Sequence, residues 1–272
     1  MIYEKYLSLL SRIIIGIGII IFLFPIIWFL LASFKTPKDM YDIGSFNINL
    51  YNYFQVFKNY PIGLYIKNSL VLAIASAIIA VSIGTLAAYG ISQTNFKFKK
   101  ETSIFVYIVR LIPSMAIIVP LFLVFNQLNL LNTYPGLVLA HTIASLPLII
   151  IIMIGYFVDL PRELIDSGYI DGCNRINIIY YIVIPLVKPG VSVCALFAFL
   201  VSWNNFDISL LIGYMPEYKT MPLGLAMMNT QYGILWNLIS AAGALYIIPM
   251  VILAVSLQKY VIKGLTAGAL KG

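Results

Sequence analysis

Asp159, Glu163, Asp166 and Asp171 are four of the chain's ten acids, and all lie between Val158 and Gly190, in a chain that is otherwise nearly all apolar. A charged segment held between two apolar runs suits contact with a partner. Local signals say how they are held. Pro161 can open a helix, because its missing N–H would have no partner in the first turn. Arg162 to Asp171 can continue it, and Gly172 supplies a stop. Glu163, Asp166 and Ile170, spaced i, i+3 and i+7, then share one face. Leu164, Ser167 and Gly168 fall on the others. Such a helix is too short to stand alone in water and needs a surface to lie on. Asn174 can cap a second helix running through Ile178 and Tyr181 toward Pro185.

Other polar groups are sparse. Trp203, Asn204, Asn205 and Asp207 cluster, with Tyr214 a little beyond. An aromatic face with amides suits stacking on sugar rings and bonding their hydroxyls, and interfacial anchoring accounts for the Trp equally well. Arg110 lies about two turns inside an apolar run, where it either snorkels to the surface or braces a gate. His141, the single histidine, has no second ligand at metal spacing, so a hydrogen-bonded packing role is expected. Cys173 and Cys194 form no metal or disulfide framework. A phosphate-cradling G-x-x-x-x-G-K-[ST] loop is missing from the sequence, so no nucleotide site and no cofactor is expected in this chain.

The elements that position these residues follow from composition. Of 272 residues, 61% are hydrophobic and only 10% charged, against about 25% charged in a soluble domain. The apolar surplus must face lipid. Six runs approach the roughly 20 residues that cross a bilayer: about 13–31, 68–88, 103–125, 137–157, 186–201 and 235–257. No open sheet spans lipid, and the runs lack the alternation of a barrel. The expectation is an all-α integral membrane protein, a bundle of six transmembrane helices forming one domain over 1–272. The first run exceeds a signal-peptide core of about 7–15 residues and reads as an uncleaved helix. The formal charge of +7 is not a nucleic-acid footprint, because no basic patch interleaves with aromatics.

With the N-terminus inside, inner segments carry ten cations and outer ones five, which puts both termini in the cytoplasm. The polar stretch 158–185 is then cytoplasmic. The outer loops are 32–67, rich in interfacial aromatics, and 203–233, whose Met, Tyr and Pro suit an adaptable docking or substrate-facing surface. Prolines recur at helix depth at Pro25, Pro113, Pro120, Pro147, Pro185, Pro189 and Pro249, and bent helices fit a pathway that opens and closes.

At this point the sequence resembles a family. Permease subunits of binding-protein-dependent ABC importers carry a cytoplasmic E-A-A pattern, followed after three residues by G, after nine by I, and after one more by L-P. Here Asp166, Ser167, Gly168, Gly172, Ile182, Ile184 and Pro185 keep those intervals. The letters depart at Glu to Asp, both alanines, and Leu to Ile. KGLTAGALKG (263–272), RLIPSMAIIVPLFLVF (110–125), LNTYPGLVLAH (131–141) and FLVSWNNF (199–206) are similar to the carbohydrate branch, specifically its second subunit, the one like the smaller maltose permease subunit. Asn205 stands where an acid is common.

The resemblance covers essentially the whole chain. It implies a type I importer (MetI-like) bundle with a cytoplasmic coupling helix at 160–172. Glu163, Asp166, Ser167, Gly168, Ile170, Asp171 and Gly172 would dock on a cytoplasmic ATPase. Lys263, Gly264, Leu265 and Lys271 would lie against the ATPases as well. It also implies a second homologous permease subunit, two ATPase subunits carrying ATP and Mg, and an extracellular or periplasmic sugar-binding protein, in the cell membrane. Two rivals remain. An ion-coupled secondary transporter would need paired ionisable groups or broken helices at mid-membrane. A membrane enzyme would need a carboxylate or metal cluster.

Overall fold

The computed structural model describes the backbone of residues 2–41, 48–230 and 233–269, and the side chains of 11–40, 48–229 and 235–259. Nearly all of it is helix, because apolar residues in lipid leave the backbone no partner except its own carbonyls. The helices are α1 (Ile2–Ala32), α2 (Tyr51–Asn59), α3 (Ile62–Gln93), α4 (Lys99–Leu111), α5 (Ser114–Gln127), α6 (Tyr134–Val158), α7 (Arg162–Ile170), α8 (Arg175–Leu186), α9 (Lys188–Trp203), α10 (Asp207–Leu211), α11 (Met221–Met227) and α12 (Trp236–Ala269). Two-residue strands β1 (Asn229–Thr230) and β2 (Gly233–Ile234) form a small antiparallel hairpin before α12.

Four helices are long and apolar enough to cross a membrane singly: Ser11–Ala32 of α1, α3, α6 and Trp236–Lys259 of α12. Two further apolar stretches are bent helix pairs and differ from the sequence expectation. The run expected as one helix over 103–125 is two, α4 and α5, bent by 98° at Ile112–Pro113. The short run expected over 186–201 is the second arm of another bent pair, α8 and α9, which meet at 79°. Pro25, Pro120, Pro147 and Pro249 sit inside continuous helices, so proline alone does not decide where a span breaks.

The chain divides into two compact units, Met1–Gly63 with Leu225–Ile248, and Leu64–Gly224 with Pro249–Gly272. In the first unit a buried amide knot ties the segments. Asn52 Nδ2 donates to the carbonyls of Ser33 and Lys35 at 2.8 and 2.7 Å. Asn237 Nδ2 donates to Asn52 Oδ1 at 2.8 Å. Buried amides without partners would each cost about 1–3 kcal/mol, so the knot fixes the register of these three segments. Phe54 and Phe57 of α2 are exposed, as expected of an interfacial aromatic helix.

In the second unit α6 is the central post, burying His141, Ser145, Ile149, Met153 and Phe157 among others. The loop after Trp203 is not slack. Asn68 Nδ2 donates to the carbonyls of Glu217 and Lys219, both at 2.8 Å. Tyr134 donates its hydroxyl to Asn68 Oδ1 at 2.7 Å, and the Met215 N–H donates to Asn132 Oδ1 at 2.9 Å. Leu72, Ile118, Phe125, Leu137, Ile208 and Ile212 pack into one apolar cluster beneath it.

Candidate functional site

The polar stretch folds nearly as its residues dictate. Pro161 is the cap residue and not the first helical one, so α7 begins at Arg162. At the other end Gly172 has φ +81°, a conformation open to Gly without strain. Its N–H donates to the Tyr169 carbonyl at 3.1 Å, and the Cys173 N–H donates to the Gly168 carbonyl at 3.0 Å. Together these two bonds close a Schellman turn. Asn174 Oδ1 accepts from the Asn177 N–H at 2.8 Å and caps α8, worth about 1 kcal/mol. From Ile178 to Val183 α8 is wound as a π-helix, a form frequent at functional sites.

Gly168 is the seat of α7. It is buried, and a Cβ built there would lie 2.7 Å from Ile182 Cδ1 and 3.2 Å from Ile178 Cγ1. The helix therefore presses its smallest residue against α8 and turns its other faces outward. Glu163, Asp166, Ser167 and Asp171 are exposed, and Ser167 donates its hydroxyl back to the Leu164 carbonyl at 3.1 Å. Ile170 is 86% exposed, Ile176 75% and Tyr181 70%. Large apolar side chains grouped around carboxylates at a turn mark an interaction surface.

Asp166 also lines a recess of about 170 Å³ with Tyr89, Gln93, Arg162, Tyr169 and Arg175. Gln93 Nε2 in turn donates to the Phe157 carbonyl at 2.6 Å, tying the end of α3 to the end of α6. Arg162, four residues before Asp166 on the same helix, was legible as its neighbour; the α3 residues were not, because α3 lies about seventy positions upstream.

A second polar place lies at the break between α4 and α5. A cavity of about 150 Å³ is lined there by Arg110, Ser114, Asn205 and Asp207, with Ile, Leu and Ala walls from α5 and α6. Ser114 Oγ donates to Asp207 Oδ2 at 2.9 Å. Asn205 Oδ1 accepts from the Ile208 N–H at 2.9 Å, which orients the amide at the start of α10. Arg110, expected to snorkel or to brace a gate, borders this cavity. Ser114 was missed; its position directly after Pro113 was the signal.

The other members of that cluster separate. Trp203 is 1% exposed and stacks on Phe199 with centroids 5.4 Å apart, so its face is closed to a sugar by its own neighbour. Asn204 is exposed and donates to the Leu200 carbonyl at 2.9 Å. Tyr214 is exposed on the loop beyond α10. His141 is buried with Nδ1 3.0 Å from Ser202 Oγ, a packing contact between α6 and α9. Lys263, Gly264 and Leu265 fall on the backbone of α12; their side chains, and Lys271 altogether, lie outside the described residues.

Comparison with known proteins identifies the family of the chain. The chain is 36% identical over 254 residues to the sulfoquinovosyl glycerol transport system permease protein SmoH of Agrobacterium fabrum, covering 92% of this chain and 89% of that protein. It is 35% identical over 276 residues to the trehalose/maltose transport system permease protein MalG of Thermococcus litoralis, covering 97% and 99%. The fold matches a solved bacterial ABC transporter involved in import of the acidic polysaccharide alginate, with a TM-score of 0.80 at 19% identity over 94% of this chain and 97% of that one. Residues 80–267 match one family throughout. The chain is a multi-pass membrane protein that belongs to the family of binding-protein-dependent transport system inner membrane components.

Proposed function

We propose that this permease carries sugar across the cell membrane as half of the translocation path of an ATP-driven importer. Its other members would be a second homologous permease subunit, two cytoplasmic ATPase subunits that bind ATP and Mg, and an extracellular or periplasmic sugar-binding protein. Relatives named for sulfoquinovosyl glycerol, trehalose/maltose and arabinooligosaccharides support the sugar cargo. The ten cations on the segments assigned to the same side as α7, against five on the other, support cytoplasmic termini.

The observation that carries the coupling role is the presentation of Asp166. It stands exposed on a short helix seated by Gly168 on α8, one turn before the exposed Ile170. An ATPase cleft that closed over this turn would desolvate the carboxylate against a cation, and removing one partner of such a pair costs several kcal/mol. Rotation of α7 would pass through the Gly168 contact into α8 and on to α9. Glu163, Ser167, Asp171 and Gly172 shape the same turn. The bent helix pairs and the cavity shared by Arg110 and Asp207 meet the structural requirement of the ion-coupled alternative, but relatives named as transport system permease proteins, at 36% and 35% identity, favour the importer.

The test is Asp166→Lys in the assembled importer. Binding-protein-stimulated ATPase activity and sugar uptake are expected to fall at least tenfold, with the permease still present in the membrane. Unchanged uptake would remove the docking claim.

A further inference from the structure

The cavity at the α4–α5 break is unlike its surroundings. Arg110 lies eleven residues beyond Lys99, about 16 Å along the helix at 1.5 Å per residue. Arg110 is exposed on this chain and Asp207 half-buried, and ionisable residues within membrane spans are functional candidates by default. Here they border one cavity together with Ser114 and Asn205. The Asp207 carboxylate accepts from Ser114 through Oδ2, and a carboxylate has about four lone-pair sites, so acceptor capacity remains. Arg110 supplies up to five donors, and the Asn205 amide adds donors of its own. The remaining walls are Val, Ile, Leu, Ala and Pro.

This inventory has a definite complement. One guanidinium and one carboxylate leave no net charge, so the site discriminates by hydrogen bonding. A carboxylate that accepts two neighbouring hydroxyls, with a planar donor fork bordering the same cavity, matches the vicinal diol of a sugar ring. An anionic group would meet Arg110 favourably but Asp207 unfavourably. The volume of about 150 Å³ holds several waters or one ring, not an oligosaccharide. From Arg110, Ser114, Asn205 and Asp207 around the Ile112–Pro113 break, we infer that this chain contributes its own transport subsite for a neutral, polyhydroxylated sugar ring. The inference rests on the sugar-import reading above.

The experiment uses the importer reconstituted with its partners in vesicles, offered labelled trehalose, maltose and a glucuronic-acid disaccharide. Uptake and binding-protein-stimulated ATP hydrolysis are measured side by side for the wild type, Asp207→Asn and Ser114→Ala. Asp207→Asn keeps the side chain's shape, so loss of fold is checked by the amount of intact complex recovered. The expected result is a tenfold or larger drop in neutral-sugar uptake with ATP hydrolysis falling less than threefold, so that sugar moved per ATP declines. Ser114→Ala gives the same split, two- to fivefold in size.

Unchanged sugar per ATP in both variants overturns the subsite while leaving the importer intact. Equal loss of uptake and hydrolysis, or loss of complex, makes the residues structural and overturns it too. Uptake of the acidic sugar alone by the wild type overturns the neutral assignment. No sugar-stimulated hydrolysis in the wild type with any of the three removes the importer reading, and the subsite with it.

Discussion

Two helix pairs of this membrane protein are sharply bent, and they are bent differently. At the first, α4 and α5 diverge by 98° around Ile112–Pro113, and polar groups surround a cavity at the bend. At the second, α8 and α9 diverge by 79° at Val187, and the bend is filled. Val187 is buried, the Val187 and Val191 N–H groups both keep their bonds to carbonyls four residues back at 3.0 Å, and Gly190 lies flat on the Tyr156 ring. Each has proline nearby, so the covalent device is similar. What packs the inside of the bend decides whether it becomes a site or a joint. A filled joint transmits displacement because packed interiors resist compression. That suits the break reached through α7 and its exposed Asp166. An open one has room for a ligand.

The comparison can be broken most directly at the filled joint. A Cβ on Gly190 would fall 2.6 Å from the Tyr156 ring carbons, and a ring cannot step aside as a methyl can. Gly190→Ala is expected to destabilise the protein by about 1–3 kcal/mol, read as an earlier thermal unfolding midpoint in detergent, with coupling between hydrolysis and uptake loosened. An unchanged midpoint would mean the joint is softer than its contacts indicate.

Gly168 makes a useful control. Its added Cβ would meet Ile182 Cδ1 at 2.7 Å, the free end of a flexible chain, and alanine gains up to about 1 kcal/mol of helix propensity. Gly168→Ala should therefore leave the unfolding midpoint within about 1 kcal/mol of its starting value, as the alanine of the family's pattern at this position suggests. The smallest effect is expected at the open break. Ala144 lines the cavity, so Ala144→Val should shift stability by no more than about 0.5 kcal/mol, most of it the cost of a β-branched residue in a helix. A larger loss in a detergent melt would show that the cavity walls are as tight as the joint.

Legibility differed in the same way between the two places. The coupling turn was readable because every signal in it is local. Gly172 ends a helix by its backbone freedom, Asn174 caps the next through a bond to a residue three positions on, and the intervals from Asp166 to Pro185 carry a family's spacing within twenty residues. The cavity was not readable, because Ser114 and Asp207 are 93 positions apart and no periodicity joins them. Trp203 shows the opposite error. Its type and neighbours suggested a sugar platform, yet packing turned it onto Phe199.

The sequence by itself determined that this chain lives in a membrane, that it is helical, and where its polar turn must begin and end. Hydropathy, charge bias and capping act over a few residues and need no tertiary context. Only the tertiary structure decided which prolines break a span, which of the two breaks stays open, and which polar side chains from distant helices face each other there. Those outcomes depend on what stands across the gap, an aromatic ring under Gly190 or empty space beside Ser114, and that is set by packing between segments the sequence keeps far apart.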